Sequence, residues 1–188
     1  MQKMLCSNLK IKSSSNSSSS SNDENNGVFD GYASVYHEID SQQDIILPGT
    51  FKDCLGRPES IKLLWQHDAS TPIGIFTKMR ETGNGIHVEG KIITSTTKGK
   101  ETFELIKAGA VDGLSIGFEI LECHFEGKNR HITKGKLWEI SIVTFPANGK
   151  ARINHVKSST FKNLVEDIDK AIILLETMQH ASRHGGRY

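Results

Sequence analysis

Gly109-Ala110-Val111-Asp112-Gly113-Leu114-Ser115-Ile116-Gly117-Phe118 is the stretch on which the fold reading turns, because a helix-like segment stops in it and a strand-like one begins. Upstream, Thr97 to Ala110 reads as a helix, with Phe103, Ile106 and Ala110 along one side and Leu105 and Ala108 beside them. Thr97 is the expected N-cap, and Gly109 stands where a C-terminal glycine belongs. Downstream, Ile116, Phe118 and Ile120 alternate with Ser115, Gly117 and Glu119, so a period of two puts apolar residues on one sheet face and the serine on the other. Glycines flanking a serine permit tight or left-handed backbone and leave room for another chain to approach. That makes Ser115 a candidate nucleophile for acyl transfer. Taken alone the pentapeptide is weak, since a serine at an ordinary tight turn accounts for it. The similar Gly-x-Ser-x-Gly elbow of another hydrolase fold runs from strand to helix, whereas here helix leads into strand.

The composition narrows the alternatives. A chain of 188 residues suits one well-cored domain. With 23 basic and 22 acidic residues, the net charge of +1 leaves no electrostatic footprint for nucleic acid. No apolar run approaches the roughly 18 to 20 residues of a membrane span, and Met1-Gln2-Lys3-Met4-Leu5 lacks the apolar stretch of a secretory signal. A cytoplasmic protein with neither nucleic-acid nor membrane partners is expected. Cys6, Cys54 and Cys123 are odd in number and far apart, so neither a disulfide framework nor a zinc site is supported.

Along the chain, residues 1–12 hold a candidate first strand at Leu9 to Lys12. Residues 13–26, serine and asparagine only as far as Asn22, read as a disordered loop or linker. The folded domain is expected over 27–154. It opens with the β-prone Val28 to Tyr36, where Val28, Tyr32 and Tyr36 share a parity, and a short helix capped by Thr50 is expected over Thr50 to Leu55. Ile61 to Asp68 reads as an apolar strand that delivers His67 and Asp68 at its end. Such a pair suits a catalytic base, or a histidine bonded to its turn with an aspartate capping it; a metal reading lacks further ligands at a recognisable spacing. Asn84-Gly85 between two alternating segments predicts a hairpin from Ile73 to Ile92, with His87 on its solvated face.

Beyond Cys123, a turn near Gly127 leads to Leu137 to Thr144, where Trp138, Ile140 and Ile142 alternate with Leu137, Glu139, Ser141 and Val143. Glu139 thus sits on a strand with two largely apolar faces. An ionised carboxylate is costly to bury unpaired, so it should have a partner. In residues 155–188, Phe161, Leu164, Ile168, Ala171, Leu175 and Met178 recur at spacings of three and four, which predicts a long amphipathic helix from about Thr160. That helix would pack on its own domain or form a seam with a partner helix.

In this order, several blocks of the chain resemble the prohead maturation serine proteases of tailed phages. They are Gly31-Tyr32-Ala33-Ser34-Val35 with Asp44 to Phe51, Leu64-Trp65-Gln66-His67-Asp68 with Pro72-Ile73-Gly74, Ala108 to Phe118, and Leu137 to Asn148. The resemblance implies a mainly β (α+β) fold: an antiparallel β-barrel with surrounding helices, similar to the herpesvirus capsid-maturation proteases, with the amphipathic helix appended. It matches Ser115 to the nucleophile, His67 to the general base and Glu139 to the group that orients His67, with His131 the next candidate for this third role. Ser115 Oγ should then lie within reach of His67. No cofactor or metal is implied. The implied function is a serine endopeptidase acting in the bacterial host cytoplasm inside the assembling procapsid. Its substrates would be the scaffolding part of the major capsid protein and the protease itself, with the serine-rich tract a candidate self-cleavage site and a homodimer open by analogy. The competing reading is an inert protease-fold scaffolding or internal capsid component that docks through its C-terminal helix.

Overall fold

The computed structural model describes residues 26–157 together with 172 and 173. The candidate first strand, the serine-rich tract up to residue 25 and the C-terminal helix, apart from the exposed Ile172 and Ile173, lie outside the described residues.

Alternation dictates the first hairpin. Strand β4 (Asp68–Glu81) and strand β5 (Gly85–Ile92) pair antiparallel, and Thr82 closes the turn by donating its amide to Gly85 O at 2.9 Å. Strand β1 (Val28–Val35) lies on the other side of β5 and strand β8 (Ile153–Lys157) beyond it. The buried parity of β1 is Phe29, Gly31 and Ala33, with Val28 and Tyr32 half-buried on the other. A Cβ on Gly85 would run into the Ser34 carbonyl of β1, so this position needs glycine for the close approach.

Helix α1 (Thr97–Lys107) begins one residue earlier than the sequence suggests: Thr96 Oγ1 accepts from Gly99 N at 3.1 Å. It ends as expected at Gly109, whose φ of +71° lets Gly109 N reach Ile106 O and Ala110 N reach Leu105 O. Its buried face carries Gly99, Thr102, Phe103 and Ile106, while Leu105, Ala108 and Ala110 are exposed, so the apolar stripe is narrower than the composition implies.

Strand β7 (Asn129–Val143) organises the rest. Along one edge it pairs antiparallel with β6 (Gly113–Glu126) over its whole length. Along the other its first part pairs parallel with β2 (Asp44–Ile46), and its last part pairs parallel with β3 (Lys62–Trp65). The alternate residues Ile132, Ile140 and Ile142 are fully buried and join Leu63, Ile73, Ile86, Val88 and Leu114 in one core.

Four expectations need correction. The eight strands form one mixed sheet, because the pairings of β2 and β3 with β7 are parallel. The sheet is not closed into a barrel: among the described residues, only the isolated bridge Gly113–Arg152 joins β6 to the entry to β8. Among the described residues the surrounding helices reduce to α1, a 3-10 turn at Pro58–Ser60 and the helical residues Ile172 and Ile173, and Thr50 to Leu55 forms turns instead of a helix. The Thr50 hydroxyl bonds the carbonyls of Leu47 and Ile132, which anchors that loop to β7 instead of capping. His87, expected in solvent, has a side chain only 12% exposed, edge-on to Tyr32 and 3.5 Å from Asp30, because both side chains stand beside it on the adjacent strand β1, where Tyr32 is its direct cross-strand partner.

Two glycine substitutions separate conformational cost from steric cost. Gly109→Ala meets open space and should lose only about 1–2 kcal/mol for left-handed backbone. Gly85→Ala must push β1 away and should lose more, as read by urea unfolding of both variants.

Candidate active site

Two consecutive residues without glycine's freedom sit in left-handed backbone between β3 and β4: Gln66 at φ +53° and His67 at φ +60°. Trp65 pairs with Asp68 across them, so this is a two-residue hairpin turn with positive φ at both central positions, where Asn-Gly is normally found. Such conformations cost of order 1–3 kcal/mol each and persist where the surroundings impose them. Here the surroundings are the end of β7. Gln66 N donates to Ile142 O at 3.0 Å, His67 N donates to Ser141 Oγ at 3.0 Å, and the Gln66 amide donates to Thr144 Oγ1 at 2.8 Å.

The pinned turn holds the His67 imidazole over Glu139. Nδ1 of His67 lies 2.6 Å from Glu139 Oε1, and the other carboxylate oxygen accepts from Ser141 Oγ at 2.7 Å. With Glu139 as acceptor, Nδ1 is assigned the hydrogen and Nε2 keeps its lone pair. The Glu139 side chain is 14% exposed against 44% for His67, so the carboxylate is the sheltered partner. It lies flat across Gly117 of β6, where an added Cβ would collide with Oε1. Glycine at 117 is therefore a space requirement of the carboxylate. The partner that Glu139 needed is present, and Ser141, to which the sequence assigned no role, supplies a second.

Ser115 stands on the same face of the β6–β7 pair. It is the direct cross-strand partner of Ser141, as Gly117 is of Glu139, and it is 6% exposed. This places Ser115 diagonal to Glu139, a separation of about 7–8 Å in an antiparallel pair. Among the described residues no hydrogen bond joins Ser115 to His67, so the structure brings His67 and Glu139 into contact and leaves Ser115 beside them. A small cavity of about 90 Å³ touches Ser115 and is also lined by Ala33, Ser34, Asp40, Phe118 and Asn148. Ser34 Oγ is buried without a partner. Burial pushes the Asp40 carboxyl above its usual range against the opposing effect of the Asp44 and Gln42 amides. A larger hollow of about 620 Å³ beside α1 is lined by none of Ser115, His67 and Glu139.

The remaining candidates lie elsewhere. His131 sits eight residues up β7 from Glu139, on the order of 25 Å away, opposite His124. Asp68 turns away from His67: its carboxylate accepts from the hydroxyls of Ser70 and Thr71, which with the Ser70 amide hold it below the usual carboxylate range. The sequence assigned no role to Gln66 and Ser141; the available signal was their place beside His67 and two residues after Glu139, in the blocks that carry the resemblance.

The family model of the caudovirus prohead serine protease matches residues 11–166. The chain belongs to that family. Among its relatives, a prohead protease of Enterobacteria phage HK97 is 30% identical over 156 residues, covering 78% of this chain and 68% of that one. A capsid polyprotein of Pseudomonas phage PAJU2 is 35% identical over 72% of this chain, which spans 21% of it. A prohead protease of Escherichia phage T5 is 34% identical over 51% of this chain, which spans 46% of it. Of solved structures, the varicella-zoster virus protease is similar with a TM-score of 0.48 at 10% identity, covering 70% of this chain and 64% of that one. The bacteriophage T4 capsid assembly protease has a TM-score of 0.46 at 13% identity, covering 62% and 80%.

The short Nδ1 contact has a spectroscopic consequence for this prohead protease family member. A far-downfield imidazole proton should be visible by NMR at low temperature in the folded protein. Gly117→Ala should remove or shift it while leaving the fold's dispersion intact; an unchanged signal would place the carboxylate elsewhere.

Proposed function

We propose that this chain is a serine endopeptidase of procapsid maturation, with Ser115 as nucleophile, His67 as general base and Glu139 as the group that orients His67. The observation that carries this reading is the 2.6 Å contact between His67 Nδ1 and Glu139 on the strand face that bears Ser115. A histidine held at one nitrogen by a sheltered carboxylate is what a hydroxyl nucleophile needs beside it. In the reaction, His67 Nε2 takes the Ser115 hydroxyl proton as Oγ attacks the peptide carbonyl. It returns that proton to the leaving amine, and the acyl-enzyme is then hydrolysed by the same steps with water. Glu139 keeps the Nδ1 hydrogen and offsets the imidazolium charge. The diagonal gap from Ser115 to Glu139 is one that an imidazole ring fills, so a side-chain rotation brings Nε2 to Oγ, and free-enzyme geometry is often looser than that of the substrate complex. The cavity beside Ser115 has about the volume of three waters and would take one substrate side chain.

The substrates in this reading are the scaffolding part of the major capsid protein and the protease itself, met inside the assembling procapsid in the host cytoplasm. Relatives named prohead protease and capsid polyprotein support it.

Co-expression with the cognate capsid protein tests the proposal. Wild type should shorten the capsid protein and itself, Ser115→Ala and His67→Ala should leave both full-length, and Glu139→Gln should cut the rate by two or more orders of magnitude while keeping the fold. Full-length capsid protein with folded wild type would favour an inert protease-fold component instead.

A further inference from the structure

The far end of the β6–β7 hairpin gathers three side chains that the proposed chemistry does not use. His124 and His131 are direct cross-strand partners, and Glu126 follows His124 by two residues, on the same side of its strand. The two imidazoles stack, with centroids 5.1 Å apart and planes 24° from parallel. Glu126 closes the group: Oε1 is 3.3 Å from His124 Nε2, and Oε2 is 3.5 Å from His131 Nε2. One ligand atom from each of the three lies within 4.8 Å of the other two. The His131 side chain is 16% exposed, against 50% for His124 and 66% for Glu126, so one ligand is fixed by packing and two are free to adjust.

We propose that His124, Glu126 and His131 form a site for one divalent transition-metal ion of the zinc class, with the fourth position left to water. The donor set chooses the ion. Two neutral imidazoles and one carboxylate suit zinc, whereas calcium and magnesium favour all-oxygen surroundings. The carboxylate-to-imidazole spacings of 3.3 and 3.5 Å are close to the ligand-to-ligand edge of about 3.4 Å in a tetrahedral site with bonds of about 2.0–2.2 Å, and rotation of the two exposed side chains aims the donors at one point. Without a metal, the same three groups amount to an exposed carboxylate shared by two histidines, an arrangement that contributes little to stability. The position gives the ion a structural role. Among the described residues β7 is the one strand that β6 pairs with along its length, and the site lies where these strands close through Gly127-Lys128, at the other end from Ser115. An ion there cross-links the outer strand of the sheet to the strand that carries Glu139. The sequence hides the site because its ligands become neighbours only through the hairpin register.

Calorimetric titration of the untagged, full-length protein with zinc tests the proposal, with cobalt(II) absorption as a readout of tetrahedral nitrogen and oxygen ligation. Wild type should bind zinc at this site and gain melting temperature. His124→Ala, at an exposed position that leaves the fold alone, should weaken that binding by more than about tenfold and abolish the gain, as should His131→Ala. His155→Ala, a histidine outside the cluster, should bind like wild type. Absence of zinc uptake by wild type, or wild-type affinity in His124→Ala, would overturn the site.

Discussion

A carboxylate sheltered on a strand between apolar neighbours must be paired, because desolvating an unpartnered charge costs far more than any single packing contact returns. Glu139 is that carboxylate, and much of the local structure reads as a consequence of housing it. Gly117 has no side chain because the carboxylate lies across it. Ser141 is a serine because the second oxygen needs a donor, and its hydroxyl also receives the His67 amide. The imidazole of His67 takes the first oxygen.

Meeting those demands requires chain segments far apart in sequence to be registered to within one residue. Strand β7 does this by pairing on both edges at once. Its antiparallel ladder with β6 fixes Gly117 opposite Glu139, and its parallel ladder with β3 sets Leu64 opposite Ser141, so the β3–β4 turn arrives over the carboxylate. The turn carries left-handed Gln66 and His67, and its strain is balanced by hydrogen bonds to Ile142, Ser141 and Thr144. A turn with Asn-Gly would be easier to form, but it would present no imidazole. Conformational cost is accepted here for the placement of the imidazole over Glu139.

What the sequence made legible follows from what is local. Asn84-Gly85 and the alternation around it specify the β4–β5 hairpin, and Gly109 specifies where α1 stops, because both depend on a few adjacent backbone angles. The need of Glu139 for a partner was legible from apolar neighbours alone, and the candidate positions of His67 and Ser115 followed from the block order. The parallel pairings of β2 and β3 with β7 were not legible, since parallel register carries no turn signal. For the same reason the expected barrel gave way to a mixed sheet whose open side is bridged, among the described residues, at Gly113 and Arg152. The shelter of His87 depends on its cross-strand neighbour Tyr32 on β1, a pairing that alternation within β5 does not reveal. The role of Ser141 and the meeting of His124, Glu126 and His131 arise only once the β6–β7 register exists.

Covalent labelling asks most directly whether the hydroxyl beside the His67–Glu139 pair is chemically activated. Folded protein treated with a fluorophosphonate and mapped by peptide mass spectrometry should carry the adduct on Ser115, at a rate that collapses in His67→Ala and falls in Glu139→Gln. Labelling of Ser115 that proceeds equally fast without His67, or an adduct confined to other serines, would contradict a nucleophile driven by that pair.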